Sequence, residues 1–281
     1  MKVTLWGTRG SVAAPGPETT RYGGNTSCVE VQAADGTVLV LDAGTGIRRL
    51  GDAIVDRIRR VDLLLTHLHM DHIQGLGFFE PLFRPAIEVH IWGPSSTTQD
   101  LRVRLGRYLS PPLFPVRLRD LPRQPTLHDA VREGRFEIGP FTVHAELVCH
   151  PGPTVGYRIE ADGASLAYLP DHEPALGHDA FPSEPDDIPG LGLAEQVDLL
   201  IHDTMFSAEE YPRHIGWGHS SIVDAMAFAT AARVKRLLTF HHDPGHNDDT
   251  LDRLFAEASA SPHRFELLRG EEGSSFELGQ R

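Results

Sequence analysis

Apolar residues recur along this chain in two rhythms, and the switch between them predicts the fold. Short aliphatic runs bounded by glycine, aspartate or proline read as strands. They fall at residues 3–7, 27–32, 38–42, 61–66 and 87–92 in the first half, with a hairpin signal at Ala34-Asp35-Gly36. Further runs follow at 141–148, 154–159, 165–169, 197–202, 236–240 and 265–268. Between them the period lengthens: Ile47, Leu50, Ile54 and Ile58 share one helical face, so a helix is expected over 47–58. Other helices are expected near 75–79, from a Ser95 or Ser96 cap to Leu109, over 221–232 and near 250–258, whereas the Pro-rich stretch 110–125 predicts irregular chain. Two strand-rich halves flanked by helices predict an α/β fold, a four-layer αββα sandwich filling residues 1–281 as one domain. The halves are too dissimilar to read as a repeat.

The chemistry stands at strand ends. Val61-Asp62-Leu63-Leu64-Leu65 runs into Thr66-His67-Leu68-His69-Met70-Asp71-His72, which places three imidazoles and a carboxylate within residues 67–72. Such donors suit first-row divalent ions, zinc first and manganese second. Alternate residues at a strand end face one way, so His67 and His69 can grip one ion while the turn carries Asp71 and His72 toward another. Packing imidazoles together beside an apolar strand is costly without such a reason, which weighs against an incidental polar loop.

Four more stations punctuate strand ends: Asp42 in Leu41-Asp42-Ala43-Gly44-Thr45-Gly46, His150 after Cys149, Asp171 after Tyr168-Leu169-Pro170, and His241 in Phe240-His241-His242-Asp243-Pro244. In this order they resemble the five motifs of the metallo-β-lactamase superfamily. The resemblance implies a metallo-β-lactamase-like sandwich in which Asp42 orients the histidine loop. It also implies a two-metal centre, with His67, His69 and His150 on one ion, Asp71, His72 and His241 on the other, and Asp171 bridging. His241 is preferred to His242 because it keeps the family's spacing to Pro244. A flavodiiron-type oxygen reductase is disfavoured, since that group carries Glu where His69 stands.

Within the superfamily, Asp71-His72-Ile73-Gln74-Gly75-Leu76 and Gly156-Tyr157-Arg158-Ile159 are similar to ribonuclease Z and the related small cyclic-phosphate phosphodiesterases. Leu199-Leu200-Ile201-His202-Asp203-Thr204 and Gly218-His219-Ser220-Ser221 resemble that branch's acid and catalytic histidine segments. Asp203 and His219 would then form a proton-transfer pair acting with Asp71, although Asp203 replaces the branch's usual Glu and is one methylene shorter. The plainer reading of His219 is an incidental residue in a helix cap. Ribonuclease Z inserts a tRNA-gripping arm between its third and fourth motifs. Residues 160–170 here hold only a hairpin around Ala161-Asp162-Gly163-Ala164. The expected activity is therefore hydrolysis of small or cyclic phosphodiesters by water activated between two ions. The alternatives are hydrolysis of a non-phosphate ester, thioester or lactone, a tRNA 3′-processing ribonuclease, and a non-hydrolytic sensor or redox role.

Composition narrows the partners. The net charge of −13 argues against a long nucleic acid, because phosphate affinity rests on Lys and Arg. Arg102, Arg104, Arg107, Arg117, Arg119 and Arg123 form a basic cluster that reads more simply as a solvated face. The glycine-rich turn Gly7-Thr8-Arg9-Gly10-Ser11 offers backbone N–H groups and Arg9 to a phosphate. His172, and with it Glu173, is a candidate for the substrate cleft beside His219, while Trp217 and Tyr211 either stack on substrate or simply pack. Two cysteines, Cys28 and Cys149, give no disulfide framework, and no leader or membrane-length apolar run is read, so a cytoplasmic protein is expected, with a homodimer left open.

Overall fold

The strand Val38–Leu41 has no polar position because both of its faces are covered. Leu39 and Leu41 enter a core shared between two sheets, whereas Val38 and Val40 enter a second core beneath helices. In this computed structural model, which describes residues 1–279, the same division runs through the whole chain.

One sheet contains β1 (Lys2–Gly7), β2 (Cys28–Gln32), β3 (Val38–Leu41), β4 (Arg60–Leu64), β5 (Glu88–Gly93) and β6 (Thr126–Asp129). The second contains β7 (Arg135–Ile138), β8 (Phe141–Leu147), β9 (Val155–Ala161), β10 (Ala164–Leu169), β11 (Leu199–Asp203), β12 (Arg236–Phe240) and β13 (Glu266–Leu268). The chain then returns to the first sheet, where β14 (Ser275–Glu277) pairs with β1. The orders are β14-β1-β2-β3-β4-β5-β6 and β13-β12-β11-β10-β9-β8-β7. Period-two alternation sorts the side chains: Leu166 and Tyr168 of β10 face the inter-sheet core, and Ala167 and Leu169 face the helices behind.

Helices α1 (Ile47–Ile54), α2 (Met70–Ile73), α3 (Leu101–Tyr108) and α4 (Ala130–Glu133) belong to the first half. Helices α5 (Leu191–Ala194), α6 (Ile222–Ala231) and α7 (Asp248–Ala260) belong to the second. α1 and α3 cover the outer face of the first sheet through Ile47, Leu50, Ile54, Leu101 and Leu105; α6 covers that of the second through Phe228 and Ala229. Helix, sheet, sheet, helix is the expected four-layer order. Among the described residues no helix is long and apolar enough to cross a membrane.

Differences from the sequence reading are local. α1 ends at Ile54 rather than at 58, although Ile58 stays buried. α3 starts at Leu101, not after Ser95 or Ser96: Asp100 caps it by accepting from Val103 N–H, while the Ser95 hydroxyl donates to Asp129. Strands β6, β7 and β14 were not anticipated. The turn at Asp162 and Gly163 is as short as a hairpin allows, with φ of 55° and 71° at the two central residues, so β9 and β10 join directly.

Candidate metal centre

Parallel pairing of β3 with β4 and of β10, β11 and β12 sends their C-terminal ends to one edge of the sandwich. Asp42, the 66–72 loop, Asp171, Asp203 and His241 therefore converge, and His150 joins them from the segment after β8. Asp42 and His241 adopt left-handed backbone, with φ of 59° and 58°, which swings the chain out of the sheet immediately after each strand.

Hydrogen bonds decide which nitrogens face the centre. Buried Asp42 accepts from Thr66 N–H at 2.8 Å and from the Tyr168 hydroxyl at 3.0 Å, and its Oδ2 lies 2.8 Å from His72 Nδ1. With the Nδ1 proton of His72 committed to Asp42, Nε2 turns a lone pair inward. His150 commits Nδ1 to the carbonyl of Gly218 at 2.8 Å with the same result. His67 Nδ1 faces the Thr66 hydroxyl at 3.1 Å, and among the described residues its buried Nε2 has no hydrogen-bond partner.

The inward nitrogens crowd one another: His72 Nε2 and His241 Nε2 are 3.2 Å apart, as are His150 Nε2 and His69 Nδ1. Facing lone pairs at that distance repel unless a cation lies among them. Asp171 stands between the two sets. Its Oδ1 is 3.0 Å from His72 Nε2 and 3.3 Å from His241 Nε2, and its Oδ2 is 3.7 Å from His67 Nε2 and 3.8 Å from His150 Nε2. Donor atoms of His67, His69 and His150 lie within 4.8 Å of one another, as do those of Asp71, His72, Asp171 and His241. Burial would raise the pKa of Asp171, but the imidazoles of His241, His72 and His67 hold it well below the usual carboxylate range. Burial would likewise lower the pKa of His72, yet Asp171, Asp71 and Asp42 push it well up: the three carboxylates favour a positive charge beside this ring, which a divalent cation at Nε2 would supply in place of a proton. The donor set fits two divalent cations.

His219 borders the cluster, its Nδ1 2.7 Å from Asp203 Oδ2 and 3.9 Å from Asp171 Oδ2. The short Asp203 side chain thus does reach. Burial opposes a charge on His219, but Asp203, then Asp171 and Asp71, overcome it and raise its pKa to about 9.

Glu173 lies outside the reacting cluster. Its buried carboxylate accepts from Tyr211 O–H at 3.0 Å and from the N–H groups of Gly216 and Gly218 at 2.8 and 2.7 Å, which fixes the loop bearing His219. Gly218 has φ of +87°, and a Cβ there would fall 2.3 Å from His150 Nδ1, so only glycine suits this contact.

Other expected residues sit elsewhere. Arg9, expected at a phosphate, is wholly buried: its guanidinium donates to the carbonyls of Gly23 at 2.8 Å and His246 at 2.6 Å, tying two loops together. The same turn serves the cluster through its backbone, since Ser11 N–H donates to Asp71 Oδ2 at 2.8 Å. His172, also expected at substrate, is buried behind Asp203, with Nδ1 3.1 Å from His202 Nε2 and its ring against Phe228. His242 turns away, 2.9 Å from the Gly270 carbonyl, and burial lowers its pKa to about 3. Trp217 is 61% exposed, and its ring meets His214 edge-on. The arginines have different partners: Arg102 bonds Gln124, Arg117 and Arg119 pair with Asp120, Arg123 pairs with Glu88, and Arg104 and Arg107 line the cleft beside His67 and His69.

A paired-sheet sandwich with a histidine and carboxylate cluster at its strand ends defines a hydrolase class, and the comparisons agree. Residues 37–242 match the model of the beta-lactamase superfamily domain, and the chain belongs to that superfamily. It is 29% identical over 283 residues to a ribonuclease Z of Mycolicibacterium gilvum, covering 89% of this chain and 88% of that one. It is 26% identical over 282 residues to a ribonuclease Z of a Mycobacterium species (strain KMS), covering 95% and 93%. Among solved structures, the metallo-beta-lactamase fold protein YhfI of Bacillus subtilis superposes with a TM-score of 0.71 at 21% identity, over 98% of this chain and 99% of that one. Human tRNase Z, short form, does so at 0.63 and 22%, over 99% of each. A diphosphatase of the PhnP family does so at 0.67 and 18%, over 98% and 96%. At these identities the structural likeness speaks for the fold.

Proposed function

We propose that the chain is a phosphodiesterase that cleaves small phosphodiesters at a two-zinc centre, in the cytoplasm. The observation that carries this reading is the placement of His219, 2.7 Å from Asp203 and 3.9 Å from Asp171, which sets a proton donor at the edge of the cation cage. His67, His69 and His150 would hold one ion, Asp71, His72 and His241 the other, and Asp171 would be shared. Bound there, divalent ions supply Lewis acidity that acidifies water and offsets negative charge on a phosphate.

The chain's own groups do the rest. Asp42 holds the His72 ring with Nε2 inward, and Gly218 does the same for His150. Asp71, kept in place by Ser11 N–H, orients the attacking water. Asp203 keeps the proton on His219, which donates it to the departing alkoxide oxygen. The identity of the relatives as ribonucleases supports phosphodiester chemistry. The tight Asp162-Gly163 turn, together with the net charge of −13, supports a small substrate over a long polyanion.

The test is metal analysis of the purified chain followed by hydrolysis of bis-p-nitrophenyl phosphate, cyclic nucleotides, a lactone and a precursor tRNA. Activity on the diesters at physiological salt is expected. Trimming of the tRNA 3′ end with no activity on small diesters would replace this reading with the ribonuclease one, and turnover of the lactone alone would move the activity out of phosphoryl transfer.

A further inference from the structure

A cleft of about 390 Å³ opens beside the cation cage between α2, α3 and the Pro151–Gly152–Pro153 turn. His67 and His69 form its inner end; Leu68, Met70, Ile73 and Leu113 make its walls apolar. Met70 and Leu113 are 50% and 70% exposed at its rim, an arrangement that water does not favour and a ring system would. The Tyr108 ring lines the same wall, its hydroxyl tethered to the Gln74 carbonyl.

Two cations stand in this apolar setting. Arg104 donates to the Pro94 carbonyl, but among the described residues its buried Nε has no hydrogen-bond partner, and burial lowers its pKa. Arg107, one turn along α3, is exposed, and among the described residues its guanidinium has neither an ion pair nor a hydrogen bond. His219, the proton donor of the proposed reaction, does not line the cleft. The group occupying the cleft is therefore the ester group that remains on the phosphorus, while the departing group lies on the side of His219.

We infer that this cleft is a specificity site for an apolar ring-bearing ester group of about nucleoside size that carries a second anionic group, which Arg107 pairs with. The inference rests on the phosphodiesterase reading for the scissile bond, while the anion site itself stands on Arg107 and the apolar walls. An ion pair at an exposed guanidinium gives up to about fivefold discrimination.

The experiment compares two diesters on the zinc-loaded full chain: thymidine 5′-(p-nitrophenyl phosphate) and the same compound with a 3′-phosphate. Scissile bond and leaving group are identical. The expected result is an approximately fivefold higher kcat/KM for the 3′-phosphorylated diester, with the ratio falling to about one in Arg107→Gln. Hydrolysis of both with no preference, or with a preference that Arg107→Gln keeps, overturns the specificity site and leaves the phosphodiesterase reading standing. If neither diester is cleaved, that reading fails, and calorimetry decides the site. Tighter binding of thymidine 3′,5′-bisphosphate than of thymidine 5′-phosphate, lost in Arg107→Gln, upholds it; equal binding overturns it.

Discussion

His150 Nδ1 donates to the carbonyl oxygen of Gly218 at 2.8 Å, across 68 residues of sequence. Through this one bond the loop that carries His219 also sets the rotation of a cage histidine. The loop in turn is held by Glu173, which grips the N–H groups of Gly216 and Gly218 and the Tyr211 hydroxyl. The proposed proton donor and the proposed cation cage share this anchor, so moving it should disturb both.

Glu173→Ala should therefore lower kcat by about 10- to 100-fold and weaken ion retention. Glu173→Gln keeps the size and one acceptor oxygen and should recover part of each loss. If Glu173 served only to stabilise the fold, the melting temperature would drop while kcat per bound ion pair stayed at the wild-type value. That pattern would remove its positioning role.

His219→Ala should cost about 10²- to 10⁴-fold on a diester with a poor leaving group and far less on a p-nitrophenyl ester, because a good leaving group needs little protonation. Asp203→Asn should reproduce the same selectivity more mildly, since the His219 ring loses the carboxylate at 2.7 Å but keeps its place. The plot of log kcat against leaving-group pKa checks this. Parallel lines for wild type and His219→Ala would assign His219 some other task.

How much of this was legible in the sequence follows from what carries each feature. A strand such as β3 announces itself, because both faces are buried and every position is apolar. β6, with the sequence Thr126-Leu127-His128-Asp129, is an edge strand rich in polar side chains, and β14 has three residues whose pairing partner lies at the opposite end of the chain. Neither leaves a periodic trace. The α3 boundary went astray because serine and aspartate cap equally well and only the tertiary contact of Ser95 with Asp129 separates them. Cage residues were readable as side-chain chemistry at strand ends. Asp42, which aims His72, was readable in the same way, whereas His150 and Asp71 are aimed by backbone atoms, the Gly218 carbonyl and the Ser11 N–H, and backbone atoms have no signature in composition. Arg9 shows the converse: a cation in a glycine-rich turn looks like an anion site until the loop carbonyls that consume it are seen.

Asp171 presents one carboxylate oxygen to each half of the cage, so Asp171→Ala should reduce retention on both sides at once. Bound metal is expected to fall from two equivalents to less than one by elemental analysis. His242→Ala removes a buried ring bonded to the Gly270 carbonyl and should cost stability, about 1–3 kcal/mol, while two equivalents remain bound. Loss of an ion in His242→Ala with Asp171→Ala still fully loaded would invalidate the assignment of His241 over His242.

A second glycine packs tightly against a cage histidine: a Cβ built on Gly10 would lie 2.5 Å from His241 Nδ1. No rotamer of a methyl group avoids this contact, so in Gly10→Ala either the His241 ring or the 8–11 turn must move. Because the Ser11 N–H next to it holds Asp71 at 2.8 Å, two of the donors on the His241 side are displaced together, whereas His67 and His150 keep their supports. Gly10→Ala should accordingly fold, retain about one equivalent of zinc, and lose most phosphodiester hydrolysis. Gly16→Ala, where a Cβ meets nothing within 4 Å, is the matched control and should bind two equivalents. Full loading and full turnover in Gly10→Ala, with circular dichroism unchanged, would show that the His241 side tolerates the displacement and does not depend on this contact.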